Sequence, residues 1–222
     1  MYFKSRAEAG RQLAERLDKY KAQNIVVLAL DEGSAIVASQ IAMKLHANLL
    51  MYVVKNIYLP GEPEAIAALS STGTYTTNDY FSGGELEDLS MEYHNHIDQK
   101  RMEANHDLHV LLGRDGEIDK RLIRHRVVIV VSDGLSSGFS FQACANFLKT
   151  VSIKKVVAAT PLASVSAIDK LHLTSDEICC LSVVPNYIKT NHYYDDNTLP
   201  NMEQVFKIMR NITLNWELSD PR

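Results

Sequence analysis

The sequence has few cysteines, no long apolar run and no excess of positive charge. Its three cysteines, Cys144 and the adjacent Cys179 and Cys180, do not make a disulfide framework, so we expect a reducing, cytoplasmic environment. No apolar segment reaches the length of a membrane-spanning helix, and residues 1–13 are too charged for a signal peptide, so we expect no membrane partner. A net charge of −4 provides no basic surface for nucleic acid.

Two common nucleotide-binding motifs are also missing. The chain contains neither a Gly-x-Gly-x-x-Gly segment nor a P-loop, which disfavours a generic nucleotide-binding domain. The 222 residues are 46% hydrophobic and 23% charged, the composition of an ordinary globular protein. This length suits one α/β domain, alone or with a small subdomain.

Hydrophobic patterning predicts alternating strands and helices. Apolar runs predict strands at about 25–30, 48–54, 127–132, 155–160 and 178–184. Helical periodicity predicts an N-terminal helix and, after it, helices near 34–46, 138–150, 164–171 and 202–214. This alternation predicts an α/β fold with a mostly parallel sheet and helices on both faces, in which a ligand lies at the carboxyl ends of the strands.

The most informative segment is residues 127–141. Five apolar residues, Val127 to Val131, predict a buried strand, and a turn rich in Gly and Ser leads into the predicted helix. A small-residue loop before a helix N-terminus is how α/β proteins bind anions through backbone N–H groups. Asp133 is placed to accept hydrogen bonds from sugar hydroxyls, while Ser136, Ser137 and Ser140 can donate to a phosphate. These groups suit a ribose 5-phosphate; the alternative is an ordinary turn without a ligand.

This segment resembles the phosphoribosyl-pyrophosphate loop of type I phosphoribosyltransferases. Asp133 and the small residues around it match, and serines replace two threonines while keeping their hydroxyls. The resemblance implies that nine consecutive residues bind the ligand: Ser132, Asp133, Gly134, Leu135, Ser136, Ser137, Gly138, Phe139 and Ser140. Two of them depart from the family pattern, because Ser132 replaces an acidic residue and Phe139 a small one.

The resemblance extends over most of residues 3–215. Residues 3–14 look like the opening helix of a bacterial and archaeal group of predicted phosphoribosyltransferases, and residues 55–64 resemble the group's motif with two Pro-containing turns. It implies a single domain over residues 1–222 with a hood or arm inserted at about 61–115. It also implies phosphoribosyl pyrophosphate or a nucleoside monophosphate as partner, Mg²⁺ if the protein is active, and Asp133 and Lys55 as catalytic residues. We further expect a homodimer.

Departures from the family pattern concentrate where pyrophosphate would bind. The turn after the first strand usually reads Pro-Arg-Gly-Gly in this family, and here it is Asp31-Glu32-Gly33-Ser34. Lys55 retains one positive charge, but Asn56 stands where a Lys is expected. Carboxylates beside a pyrophosphate oppose its binding by about 1 to 4 kcal/mol per close pair, unless Mg²⁺ lies between them. The chain is therefore either a phosphoribosyltransferase with impaired transfer or a non-catalytic nucleotide-sensing or assembly module on the same fold.

The region from residue 61 to about 115 does not fit the alternation. Residues 64–69 suggest a short strand, residues 70–84 a loop or hairpin, and residues 86–112 one long polar helix. In the resembled family this region covers the active site; the alternative is a static insertion or dimer contact. Its helix carries four histidines whose spacing favours solvated positions over a metal site: His94, His96, His106 and His109.

The C-terminal part contains two further candidate groups. Tyr187, Tyr193 and Tyr194 could form a wall for base stacking, or could pack as ordinary loop aromatics. Asp195 and Asp196 fit a capped loop better than a paired-carboxylate acid/base site.

Overall fold

The computed structural model describes residues 2–112 and 118–217. The helices are α1 Arg6–Arg16, α2 Glu32–Leu45, α3 Gly83–Glu92, α4 His94–Leu112, α5 Phe139–Leu148, α6 Val165–Thr174 and α7 Met202–Glu217. The strands are β1 Ile25–Ala29, β2 Asn48–Met51, β3 Val54–Ile57, β4 Ala67–Ser70, β5 Tyr75–Thr77, β6 Val127–Val131, β7 Lys155–Ser164 and β8 Glu177–Val184. They separate into a sheet unit (residues 2–51 and 118–217) and an insertion unit (residues 52–112).

The sheet unit is built on five parallel strands in the order β2-β1-β6-β7-β8. Every residue of β1 and of β6 is buried, as their continuous runs of apolar residues require. Helix α2 packs against both α1 and α7, and α5 packs against α6. Right-handed crossovers place these two groups on opposite faces, because the chain moves one way along the sheet after β1 and the other way after β6. The predicted fold class is therefore confirmed.

The insertion unit has its own sheet and its own core. Strands β3, β4 and β5 pair antiparallel in that order, so that Lys55 lies opposite Leu69. Its core contains Ile57, Leu59, Ile66, Ala67 and Phe81, with side chains of α3 and α4 packed against it. No described helix is long and apolar enough to cross a membrane.

Several predicted boundaries were wrong. The strand predicted at 48–54 ends at Met51, and Val54 begins a strand of the other sheet. The single helix predicted at 86–112 is two helices, since the helical backbone is interrupted at Tyr93, which packs against the insertion core. Helix α2 begins at Glu32 instead of residue 34 because Asp31 caps it. Strand β7 continues to Ser164, beyond its predicted end.

Candidate functional site

The candidate site lies at the crevice between β1 and β6. These strands are neighbours, but the chain leaves β1 toward β2 and leaves β6 toward β7. Such a switch point opens a crevice at the carboxyl ends of the strands, where α/β proteins bind ligands. The turn at 31–34 follows β1 and the loop at 132–138 follows β6, so the sequence-predicted residues of both segments come together here.

The acidic turn after β1 forms a helix cap. One carboxylate oxygen of Asp31 accepts hydrogen bonds from the backbone N–H and from the hydroxyl of Ser34, both at 2.7 Å. The Ser34 Oγ in turn accepts the backbone N–H of Asp133 at 3.2 Å, which joins the two segments. Glu32 is partly exposed, and its carboxylate has no hydrogen bond or ion pair with any described residue.

Asp133 is buried in an ion pair with Arg6 of α1. The Arg6 Nε donates to Asp133 Oδ2 at 2.6 Å, and the two residues are only 3% and 6% exposed. The remaining guanidinium nitrogens donate to Asn191 Oδ1 at 2.6 Å and to Asn197 Oδ1 at 3.5 Å. The Arg6 guanidinium also lies 4.6 Å from the centre of the Tyr194 ring. Each guanidinium nitrogen therefore faces a protein group instead of bulk water.

Pairing of residue 3 with residues 193–195, in the loop after β8, holds this arrangement. Backbone hydrogen bonds join Phe3 to Tyr193 and Asp195, and the Phe3 ring stacks on Tyr194. The Tyr194 hydroxyl donates to the backbone carbonyl of Asp133 at 2.6 Å. Residues 187–197, which we call the C-terminal segment, thereby contact both Arg6 and the loop after β6. Tyr194 is thus a packing residue, as one of the two sequence interpretations had it.

Electrostatics at Asp133 are balanced between opposing effects. Burial and the neighbouring Asp31 carboxylate raise the pKa of Asp133 to about 7, although the charge and hydrogen bond of Arg6 oppose that rise. Tyr187 and Tyr194 also face this region, and burial raises the pKa of each hydroxyl. Arg6 therefore favours the ionised form of Asp133, whereas burial and Asp31 favour the protonated form.

The loop after β6 forms an open cradle at the start of α5. Gly138 precedes the helix with a left-handed φ of 72°, and no described side chain caps the first turn. The hydroxyls of Ser137 and Ser140 are partly exposed and make no hydrogen bond to any described residue. Free N–H groups, the helix dipole and two free hydroxyls are what a phosphate requires.

The other predicted loop residues have structural roles. The Ser132 hydroxyl bonds to the backbone of Gly134, and Leu135 pairs with β7 through backbone hydrogen bonds to Leu162 and Ser164. Phe139 is only 2% exposed, so its ring does not occupy the cradle and only its backbone can face a ligand.

The remaining sequence-predicted residues lie outside this crevice or in the insertion unit. Lys55 is on β3 of the insertion unit, partly exposed and without an ion pair to any described residue. Asp196 accepts the backbone N–H of Thr198, as a capped loop predicts. Cys144 is fully buried in α5, and burial raises the pKa of its thiol, which confirms its assignment to the core.

The described residues offer a metal ion single carboxylates instead of a group of three or more ligands. Among the described residues, no three His, Cys, Asp or Glu side chains come together as a metal-binding group, and His94 instead pairs with Asp98. Mg²⁺ needs only one or two carboxylates when substrate phosphates supply its other ligands. The free carboxylate of Glu32 fits that role, because Asp31 is engaged as a cap and Asp133 with Arg6.

Sequence reasoning missed three polar residues of the site, Arg6, Asn191 and Asn197. Arg6 stands in the N-terminal segment that carries the family resemblance, but nothing in its local pattern indicates a partner 127 residues away. The two asparagines lie in a loop without any motif.

Comparison with known proteins shows the family to which the chain belongs. The phosphoribosyl transferase domain family matches residues 3–195. Two Mycobacterium tuberculosis proteins, provisionally named phosphoribosyl transferases, are each 28% identical over 210 residues, which cover 91% of this chain and 45% of theirs. The chain thus spans less than half the length of these curated relatives. The crystal structure of TT1426 from Thermus thermophilus is 27% identical and matches with a TM-score of 0.72 over 97% of this chain and 99% of that one. The chain belongs to the phosphoribosyl transferase domain family.

Proposed function

We propose that the chain binds the ribose 5-phosphate part of phosphoribosyl pyrophosphate or of a nucleotide, and that its capacity to transfer the phosphoribosyl group is impaired. The observation that carries this proposal is the open cradle at 136–140 beside Asp133. Two unbonded hydroxyls and an uncapped helix N-terminus adjoin a carboxylate at the switch point of the sheet.

Each part of the ligand has a counterpart in this crevice. The 5-phosphate accepts hydrogen bonds from Ser137, Ser140 and the first N–H groups of α5. The ribose hydroxyls donate to Asp133, which keeps unused lone pairs because Arg6 engages only one of its oxygens.

Charge at the turn after β1 supports the impairment. Transfer builds negative charge on the departing pyrophosphate, which needs cations or hydrogen-bond donors. This turn contributes Asp31 and Glu32, while the nearby cation, Arg6, is already bonded to Asp133 and Asn191. Mg²⁺ bound with the ligand would offset part of this negative charge, and Glu32 would then help to hold the metal ion.

Titration calorimetry tests the proposal with phosphoribosyl pyrophosphate, with and without Mg²⁺, beside nucleoside 5′-monophosphates. We expect monophosphates to bind and the pyrophosphate compound to gain little from its extra group. For the cradle variants Ser137→Ala and Ser140→Ala, the matched control is Ser152→Ala, since Ser152 is an exposed serine just before β7. Absence of binding by every 5′-phosphate compound would contradict the proposal.

A second function, a non-catalytic nucleotide-sensing or assembly module, is favoured by the same acidic turn. Binding of monophosphates with no turnover of phosphoribosyl pyrophosphate in the presence of acceptor bases would support it. Release of pyrophosphate would instead support an enzyme.

A further inference from the structure

We propose that Arg6 is a positioning residue that favours the ionised form of Asp133 and orients its carboxylate to accept hydrogen bonds from ribose hydroxyls. This inference rests on the proposed function and extends it to a residue of the N-terminal helix. Its basis is the contact between the buried Arg6 guanidinium and the buried Asp133 carboxylate at the switch point. The C-terminal segment holds the guanidinium in place through Asn191 and through its backbone pairing with residue 3.

Geometry shows that Arg6 is constrained more tightly than an ordinary ion-pair partner. Its Nε faces Asp133, a terminal nitrogen faces Asn191, and its plane lies over Tyr194. A planar guanidinium can satisfy these directions at once, whereas an ammonium can supply the charge but not the fork. Rotation of the Asp133 side chain would therefore break its hydrogen bond to an Arg6 that the loop after β8 holds in place.

Charge explains why the carboxylate needs this cation. A buried carboxylate without a partner is protonated instead of remaining charged. The groups facing Asp133 are Arg6 from α1, Asp31 and Ser34 from the turn after β1, and Tyr187 and Tyr194 from the C-terminal segment. Arg6 is the cation among them and Asp31 a second anion, so without Arg6 a proton on Asp133 would occupy lone-pair sites that a ribose hydroxyl needs.

The test compares ribose 5-phosphate with inorganic phosphate across pH 6 to 9. Their affinity ratio isolates the ribose contacts, because both ligands carry a phosphate. In Arg6→Met we expect this ratio at pH 7 to fall by about tenfold, the loss of one charge-assisted hydrogen bond, with phosphate affinity little changed. The ratio should recover as the pH rises and Asp133 loses its proton.

Two variants complete the design. Arg11→Met makes the same substitution at an exposed position of α1 and should change neither the ratio nor its pH profile. Arg6→Lys keeps the charge, so we expect it to retain the parent pH profile while losing part of the ratio. Should Arg6→Met fail to fold, Arg6→Lys carries the test, and a ratio equal to that of the parent at every pH would overturn the proposal.

The outcomes separate this inference from the proposed function. A parent that binds ribose 5-phosphate no better than phosphate contradicts the proposed function. A parent with a clear ribose preference that Arg6→Met retains, with the same pH profile, contradicts only the role of Arg6. Equal weakening of both ligands without recovery at high pH would show that Arg6 is merely structural. Carbon-13 NMR titration of the Asp133 carboxyl adds a readout without ligand, since its pKa should rise in Arg6→Met and not in Arg11→Met.

Discussion

Gly134, in the loop after β6, has no room for a side chain. A Cβ at this position would collide with the Tyr187 hydroxyl and lie 2.8 Å from Thr190 Cγ2. Tyr187 and Thr190 belong to the C-terminal segment and hydrogen-bond to each other at 2.9 Å. With Tyr187 and Thr190 in place, the loop after β6 can therefore keep its position only if residue 134 is a glycine.

Gly134→Ala should lower the free energy of unfolding by about 1 to 3 kcal/mol, the usual cost of overpacking. In a background with Tyr187→Phe and Thr190→Ser, both colliding groups are removed and the added cost of Gly134→Ala should fall. Gly84→Ala is the control, because nothing lies within 4 Å of a Cβ built there. Denaturant unfolding of the variants provides the measurement, and an equal cost in both backgrounds would contradict the explanation.

Ser137 and Ser140 offer the most direct test of the cradle. Because neither hydroxyl is bonded within the described structure, replacing either one by alanine should leave stability nearly unchanged. Each replacement should weaken binding of a 5′-phosphate ligand by about 1.5 to 3 kcal/mol. Calorimetric affinities that match the parent in both variants would show that the phosphate binds elsewhere.

At the scale of elements, a polar cluster joins β7 and β8 at the amino end of the sheet. Glu177 accepts hydrogen bonds from Lys155 Nζ and Tyr20 Oη, both at 2.7 Å, and pairs with Lys19. Partial burial alone would raise the pKa of Glu177, but these hydrogen bonds lower it to about 2. The cluster lies at the opposite end of the strands from the crevice, so it contributes to stability away from the candidate site.

Glu177→Gln should lower the free energy of unfolding by about 1 to 2 kcal/mol at neutral pH. Since the folded pKa of Glu177 is below its ordinary value of 4.5, the contribution is complete above pH 4.5 and is lost as the pH falls toward 2. The free energies of unfolding of the parent and of Glu177→Gln, measured between pH 2 and 7, should therefore converge at the acid end. Glu87→Gln, at an exposed position of α3, is the control: its difference from the parent in the free energy of unfolding should not change with pH.

Elements with local signals could be predicted and elements fixed by distant contacts could not. Strands β1 and β6 follow from continuous apolar runs between polar turns. The switch from β2 to β3 could not be read, because the apolar run continues through Tyr52 and Val53 while the hydrogen-bond partner of β3 is a strand further along the chain. The break at Tyr93 was hidden by an apolar period that continues through Ile97.

The residues of the candidate site also divide into those with a local sequence signal and those placed by distant contacts. Asp133 and the serines of the cradle stand in one contiguous loop whose chemistry is visible in the sequence. Arg6 and Asn191 meet Asp133 only because backbone pairing brings residue 3 beside residues 193 and 195. Such contacts depend on tertiary structure, and no local pattern encodes them. The helix-capping role of Asp31 was also missed, because the predicted helix began two residues too late.

At the scale of the whole molecule, the insertion unit makes the covering-arm hypothesis testable. Helix α3 has no buried residue, and Lys100 and Arg101 are basic cleavage sites within α4. If the insertion covers a bound ligand, trypsin should nick residues 52–112 in the free protein and do so more slowly with a nucleoside monophosphate present. Cleavage rates unaffected by every 5′-phosphate ligand would favour a static insertion or a dimer contact.

The last prediction tests the proposed impairment by adding positive charge at two positions where the family pattern has cations. Glu32→Arg together with Asn56→Lys returns cations to the two positions where the family carries them. Arg can grip a pyrophosphate with two parallel hydrogen bonds, and Lys adds a point charge. We expect this double variant to bind Mg²⁺-pyrophosphate about tenfold more tightly than the parent, or about 1.4 kcal/mol, with little change for monophosphates.

A matched control separates this local effect from net charge. Glu87→Arg with Asn24→Lys adds the same charge at an exposed position of α3 and just before β1, at the amino end of the sheet. It should leave pyrophosphate affinity unchanged, because solvent screens charges that do not contact the ligand. If the parent already binds Mg²⁺-pyrophosphate well and the Glu32→Arg, Asn56→Lys variant loses that affinity, then Glu32 helps to hold the metal. The acidic turn would in that case belong to a working transferase with a rearranged loop, and the proposed impairment would be wrong.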